Sequence, residues 1–282
     1  MKKNLFIVLL ISMVAILAAC GANPSNESQE PTNGSTGETS EPATPEEQTK
    51  LVVGTDAAFA PFESLDGEDI VGFDVDLLDA VMEEAGLEYE LNNIGWDPIF
   101  LSLKDGSIDL AISGITVTEE RDQEYDFTRP YFESTHMIAF YEGTDIESAN
   151  DLEGKIIGVQ TATTGQIAAE AIVGELNPNL QLFETTALAF ASLKEGNVEA
   201  VVTDIAVAAE FVKNNPEDNV KLVSDPENFE AEYYGMMVPE GSELKETLDK
   251  ALTTIIDNGK YAEIYEKWFG STPNLETLLE QE

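Results

Sequence analysis

"SLKDGSIDLAISG", residues 102–114, and "SLKEGNVEAVVTD", residues 192–204, repeat one pattern: Ser-Leu-Lys, an acid, a Gly, then an apolar and an acidic residue entering an apolar run. In each copy the Gly reads as a helix stop and the apolar run as a buried strand. Working outward, the same alternation continues. "LVVGTD" (51–56) is a short apolar strand ending in Gly54. "FDVDLLDAVMEEAGL" (73–87) places Val75, Leu78, Val81, Met82 and Ala85 at helical spacing before Gly86. Strands near "YELNNI", "DLAISGIT", "KIIGVQ", "LQLFET" and "EAVVTD" are interleaved with helices across "PIFLSLKDG", "GQIAAEAIVGEL", "ALAFASLKEG" and "IAVAAEFVKNN". Strand alternating with helix predicts an α/β fold with mostly parallel, doubly wound sheets. The echo predicts two α/β lobes of one plan. "HMIAFYEG" (136–143) and "AEYYGMMVPEG" (231–241) read as the crossings between them, and a chain that crosses twice leaves a cleft with both crossings as hinges.

The first 49 residues carry different information. "MKKNLFIVLLISMVAILAAC" has two lysines, an apolar run from Leu5 to Ala19 and a small-residue end, the pattern of an export signal. The run is short for a spanning helix, which takes about 20 apolar residues. "LAAC" before Gly21 resembles the lipobox of bacterial lipoproteins, so Cys20, the chain's single cysteine, is the expected lipidation site. Two acyl chains are what stable anchoring requires. Residues 22–49 have no aliphatic side chain larger than Ala and no aromatic, a composition that cannot offset chain entropy and reads as a tether of roughly 30 Å.

Charge and motif content then exclude whole classes of function. The chain has 55 acidic and 14 basic residues, net −41. Residues 50–282 hold 49 acids and 12 bases, net −37. Nucleic acid and anionic lipid surfaces are poor partners for such a field. One histidine, His136, precludes a His-based metal cluster and reads as a hinge-region or surface residue. No G-x-S-x-G, P-loop or G-x-G-x-x-G is present.

Chemistry gathers instead at strand ends, where open α/β sheets bind ligands. "GTDAAFAPFE" (54–63) puts an Asp and two aromatics past the first strand. "ISGITVTEER" (112–121) ends a strand at Ser113-Gly114 and reaches Arg121, one of only two arginines. "VQTATTG" (159–165) brings small hydroxyl residues to a helix N-terminus suited to an anion. "VVTD" (201–204) ends in Asp204. A guanidinium, an anion site, carboxylates and aromatics complement an α-amino acid.

"GTDAAFAPFE…GFDVDLLDAV", "WDPIFLSLKDGSIDLAISGITVTEERDQEYDFTRPY", "DLEGKIIGVQTATTG", "EAVVTD" and "IYEKWFG" together resemble the family 3 extracellular solute-binding proteins, polar amino acid receptors of ABC importers, over essentially all of residues 50–270. The resemblance implies a type II periplasmic-binding-protein-like fold with a two-strand hinge. Lobe 1 is expected at 50–140 plus 237–282 and lobe 2 at 141–236, after a signal peptide at 1–19 and a lipidated linker at 20–49. It implies that Arg121 binds the ligand carboxylate, with Thr163 and Thr164 closing on it. Asp204 takes the ammonium, with the Gly114 carbonyl and the Thr116 hydroxyl. Phe59 and Trp96 sandwich the side chain, which Asp56 and Gln160 read, while Ser113 stands at the strand end beside them. Arg129 is assigned a structural part. Where the family commonly has Gly before the Thr pair, this chain has Ala162. The expected partners are an amino acid, a permease and, through the lipid, a membrane, with no cofactor or metal and a monomeric receptor. Asp56 and Asp204 lean toward a basic ligand, and Gln160 toward a neutral polar one. A sensing lipoprotein, or an enzyme like the cyclohexadienyl dehydratases of the same fold, is the alternative.

Overall fold

A computed structural model describes residues 50–280. The readings of an export signal, lipidated Cys20 and tether fall outside the described residues.

The first half opens with strand β1 (Leu51–Thr55) and a three-stranded antiparallel ribbon, β2 (Ala58–Phe59), β3 (Glu63–Asp66) and β4 (Asp69–Val71), which the sequence reading did not anticipate. Helix α1 (Phe73–Ala85), β5 (Tyr89–Asn93), α2 (Trp96–Asp105), β6 (Leu110–Ala111), a single turn α3 (Glu119–Asp122) and β7 (Tyr125–Phe127) follow. Strand β8 (Phe132–Ser134) then leads to β9 (His136–Tyr141) and the second half: β10 (Ile157–Gln160), α4 (Thr164–Val173), β11 (Leu180–Phe183), α5 (Thr186–Lys194), β12 (Ala200–Asp204), α6 (Ile205–Asn214) and β13 (Val220–Ser224). The chain returns through β14 (Glu232–Tyr234) to β15 (Met237–Pro239), α7 (Leu244–Asp257), α8 (Lys260–Phe269) and α9 (Leu275–Leu279).

Two five-stranded sheets result, in the orders β5-β1-β6-β15-β7 and β11-β10-β12-β9-β13. Each has three parallel strands, then an antiparallel strand and an edge strand. The two echoed segments occupy corresponding places, α2–β6 and α5–β12. The antiparallel fourth strand of each sheet is the one that has just crossed from the other half, so each lobe is completed by the connection. Those strands make the sheets mixed rather than mostly parallel.

The second crossing falls within the expected 231–241, at β14, but the first is displaced from its expected place. "HMIAFY" is strand β9 of the second sheet, and His136 is buried at its start rather than at the surface. The chain crosses one step earlier, at β8, which pairs antiparallel with β14 as a two-stranded link. Period-2 apolar content does not distinguish a strand that joins a sheet from one that bridges two. An aromatic cluster surrounds the link: Phe132 stacks on Tyr234 and Phe62 meets both edge-on, with ring centroids 4.8–5.5 Å apart, backed by Phe73 and Phe269.

The inward face of α1 is shifted from its expected register. Phe73, Leu77, Leu78, Val81 and Met82 are buried, against α7 and α8, while Val75 and Ala85 are only half-buried. Asp74 shares the buried stripe, fully enclosed. The strand expected over 109–116 is paired only at Leu110–Ala111, because the backbone turns away at Gly114, whose φ is 52°. A Cβ there would lie 2.9 Å from the Phe59 ring, so the close approach of strand end to aromatic requires glycine.

Candidate functional site

All eleven residues read as ligand-binding, Asp56, Phe59, Trp96, Ser113, Gly114, Thr116, Arg121, Gln160, Thr163, Thr164 and Asp204, line one narrow cavity between the two halves. Every polar member sits at or just past the end of a strand or in the first turn of a helix.

On the first-lobe wall, a buried hydrogen-bond chain fixes the strand end. Ser113 Oγ accepts from the Asp56 N–H (3.0 Å) and donates to Glu63 Oε1 (2.7 Å). The Gly114 N–H and the Tyr131 hydroxyl both donate to Asp74 Oδ2 (2.8 Å each). Glu63 and Asp74 are fully buried neighbours, and Glu63 Oε2 and Asp74 Oδ1 have no other group to bond, so their contact is with each other. Two carboxyls make that contact only by sharing a proton. Burial and the charge of Asp74 push the Glu63 carboxyl well above the usual range, and burial lifts Asp74 to about 6.

Arg121 lies on α3, whose first turn is closed by the Thr118 hydroxyl accepting from the Arg121 N–H (3.2 Å). Its guanidinium donates to the Thr116 carbonyl (2.8 Å) and, across the cleft, to the Ala162 carbonyl (3.3 Å). It lies over both Trp96 and Phe100, 5.3 and 5.2 Å from their centroids, an arrangement a guanidinium favours. Ala162 has φ 56°, in the left-handed region, which accounts for the preference for glycine at this place. That conformation turns its carbonyl to Arg121 and to the Trp96 indole N–H (3.2 Å). Arg129, by contrast, is outside the cavity: its backbone N–H donates to Asp249 and its guanidinium to Thr253, both on α7 (2.7 Å each).

The facing wall belongs to the second lobe. Thr163 caps α4, accepting from Gln166 N–H (3.2 Å), so the helix N-terminus opens toward Arg121's end of the cavity. The Gln160 amide is oriented by two donors from Thr186 to its oxygen (3.1 and 2.8 Å), leaving its NH2 to Asp56 Oδ2 across the cleft (3.1 Å). Burial raises the Asp56 carboxyl above its ordinary value; Gln160 opposes this, and the charges of Glu184 and Asp97 add to it. Asp204 accepts from Ser134 Oγ (2.8 Å) and the Tyr234 hydroxyl (2.5 Å) on the crossing strands.

The sequence reading missed four residues that shape the site. Asp74 had a signal, since it falls in step with Leu77, Leu78 and Val81 on an apolar stripe. Phe100 and Glu63 had none. Glu232, a lone acid in the apolar crossing segment, accepts from Thr116 (2.9 Å) and Thr164 (3.2 Å) and lies beside Asp204.

The cavity thus has a cationic end and two anionic regions, walled by aromatics, between two α/β lobes linked by two strands. These features define a two-lobed solute-binding protein. Residues 51–271 match the bacterial extracellular solute-binding proteins of family 3, and the chain belongs to that family. It is 38% identical over 220 residues to a probable histidine-binding protein of Neisseria gonorrhoeae, covering 77% of this chain and 82% of that one. It is 33% identical over 225 residues to ABC transporter arginine-binding protein 1 of Escherichia coli K12, covering 78% and 90%. Among solved structures it resembles the arginine-, lysine-, histidine-binding protein ArtJ of Geobacillus stearothermophilus, with TM-score 0.81 and 57% identity over 82% of this chain and 100% of that chain.

Proposed function

We propose that the protein captures a basic L-amino acid between its lobes and presents it to an ABC permease. The observation that carries this is the polarity of the cavity: Arg121 and the α4 N-terminus at one end, Asp204 across from it, and Asp56 with Glu184 and Asp97 nearby. Arg121 takes the carboxylate in a bidentate fork, with Thr163 and Thr164 closing over it. Asp204, the Gly114 carbonyl and the Thr116 hydroxyl take the ammonium. Phe59 and Trp96 hold the aliphatic stem, and the cationic head meets Asp56 and Gln160. The names of the arginine- and histidine-binding relatives favour the basic over the neutral polar class.

The reading is of binding without turnover, in a monomer needing no cofactor. The lobe bounds read from the sequence, 50–140 plus 237–282 and 141–236, are kept except that residues 136–140 go to lobe 2, whose sheet β9 joins. A signal peptide at 1–19, lipidation of Cys20 and a tether to residue 49 place the lobes at the outer face of the cell membrane. Among the described residues no helix is long and apolar enough to cross a membrane.

A thermal-shift screen against the twenty amino acids with ornithine and cystine tests the ligand class. Arginine, lysine or histidine at 100 times its Kd should add about 2.7 kcal/mol of stability. A shift only with neutral or acidic amino acids would overturn the assignment of Asp56.

A further inference from the structure

Glu232 stands at the meeting point of both lobes and the crossing. It projects from β14, and one carboxyl oxygen accepts from Thr116 of the first lobe and from Thr164 at the start of α4 in the second. Its carboxyl also hydrogen-bonds Asp204, at the end of β12. The other oxygen lies 3.8 Å from His136 Nε2 on β9, a buried nitrogen with no hydrogen-bond partner. Single ligand-capable atoms of His136, Asp204 and Glu232 fall within 4.8 Å of one another. Tyr234 donates to Asp204 from the same crossing strand, and Arg121 on α3 is the cation that faces the cluster.

Two carboxyls in hydrogen-bond contact, both largely removed from water, hold a proton between them. Burial and the neighbouring Asp204 push the Glu232 carboxyl up to about 9. Burial pushes His136 down, so the imidazole is neutral and supplies no compensating charge at neutral pH. The cluster therefore has one proton to give to solvent and no resident cation of its own.

We propose that Glu232 is a second ligand for the bound amino acid's α-ammonium, which displaces the proton that Glu232 shares with Asp204. This rests on the amino acid reading of the cavity. The Glu232 O–H bond breaks, its proton goes to buffer, and the R–NH3+ group takes its place between the two carboxylates. One positive charge replaces another, so the cluster keeps its net charge of one negative unit. Because Thr116 and Thr164 hold the same carboxyl from opposite lobes, the exchange occurs where the closed form is stitched together. An uncharged ligand of the same shape cannot make the exchange, and this gives the site selectivity for an ammonium beyond what Asp204 provides.

Calorimetric titration of the full-length chain with arginine, in buffers of different ionisation enthalpy, reads the proton directly. Between about pH 7 and 8, above the ordinary histidine range and below the titration of Glu232, about one proton should be released and affinity should rise roughly tenfold per pH unit. Glu232→Gln should bind arginine with a buffer-independent heat and a flat pH profile. Infrared difference spectra give the same answer without a variant. Adding arginine should remove a carboxylic-acid carbonyl band, and that band should move when glutamate is 13C-labelled. Binding with equal heats in all buffers, or proton release that survives in Glu232→Gln, overturns the inference. Absence of binding by the wild type, to arginine and to every other amino acid of the thermal-shift screen, would instead overturn the amino acid reading on which it rests.

Discussion

Replacing Glu63 with glutamine isolates the proton buried beneath the site. A protonated Glu63 offers one acceptor, used by Ser113, and one donor, used by Asp74. The glutamine amide offers the same two functions in the same volume and needs no proton. In the wild type, the folded state holds a proton that the unfolded chain, with an ordinary glutamate near 4.5, has released. The native state then binds more protons than the unfolded state, so stability is full at low pH and falls as pH rises. The slope is about 1.4 kcal/mol per pH unit until Glu63 itself ionises. Asp74, lifted to about 6, loses its share below that window. Above the range in which Asp74 titrates, the wild type should therefore keep losing stability through Glu63 alone as pH rises, at about 1.4 kcal/mol per pH unit while Glu63 stays protonated. Glu63→Gln should lose nothing there, and other titrating groups cancel in the difference. Glu63→Ala serves as the contrast. It strands Asp74 and the Ser113 hydroxyl and opens a cavity, for a loss of about 2–4 kcal/mol at pH 7. Urea unfolding followed by tryptophan fluorescence at pH 6.5, 7.5 and 8.5 measures all three proteins. Parallel stability–pH curves for wild type and Glu63→Gln would refute the shared proton.

Arg121→Lys keeps the charge but loses the planar fork and the guanidinium's contact with the Trp96 and Phe100 rings. Arginine affinity should fall about 10- to 100-fold, with unfolding free energy changed by less than about 1 kcal/mol because the side chain is partly exposed. Calorimetric affinity within twofold of wild type would contradict the carboxylate role. Ala162→Gly relieves a left-handed alanine at the expense of a more flexible unfolded chain, so a net gain of about 0.5–1 kcal/mol is expected. Scanning calorimetry should show Tm raised by about 1–3 °C, and a lowered Tm would mean that the Ala162 methyl has packing of its own to lose.

Much of the site was legible because its chemistry depends on residue types that are rare in their local setting. Two arginines in a chain of net charge −41 stand out, and hydroxyl or acidic residues ending apolar runs mark strand ends wherever they occur. The echoed αβ units gave the two lobes for the same reason: helix and strand periodicity are local and survive in one dimension. Arg121, Thr163 and Asp204 were found this way, and the structure brings them to one cavity with the eight other residues read alongside them.

Other features depended on what came near in space. Nothing in "AEYYG" distinguishes Glu232 from a solvated surface acid, in a chain with 54 others. Its character comes from Asp204, Thr116, Thr164 and His136, which lie far along the chain. Likewise Glu63 and Asp74 become a proton-sharing pair only because the ribbon folds onto α1. The crossing moved from residue 136 to Phe132–Ser134 because β8 finds β14, a pairing of segments about a hundred residues apart. Sequence alone determined the periodicities, the lobes and the residues whose type fits a ligand. Tertiary structure decided which carboxyls are buried together, and hence where protons reside. Desolvation and charge–charge energies depend on distance in space, and separation along the chain does not report that distance.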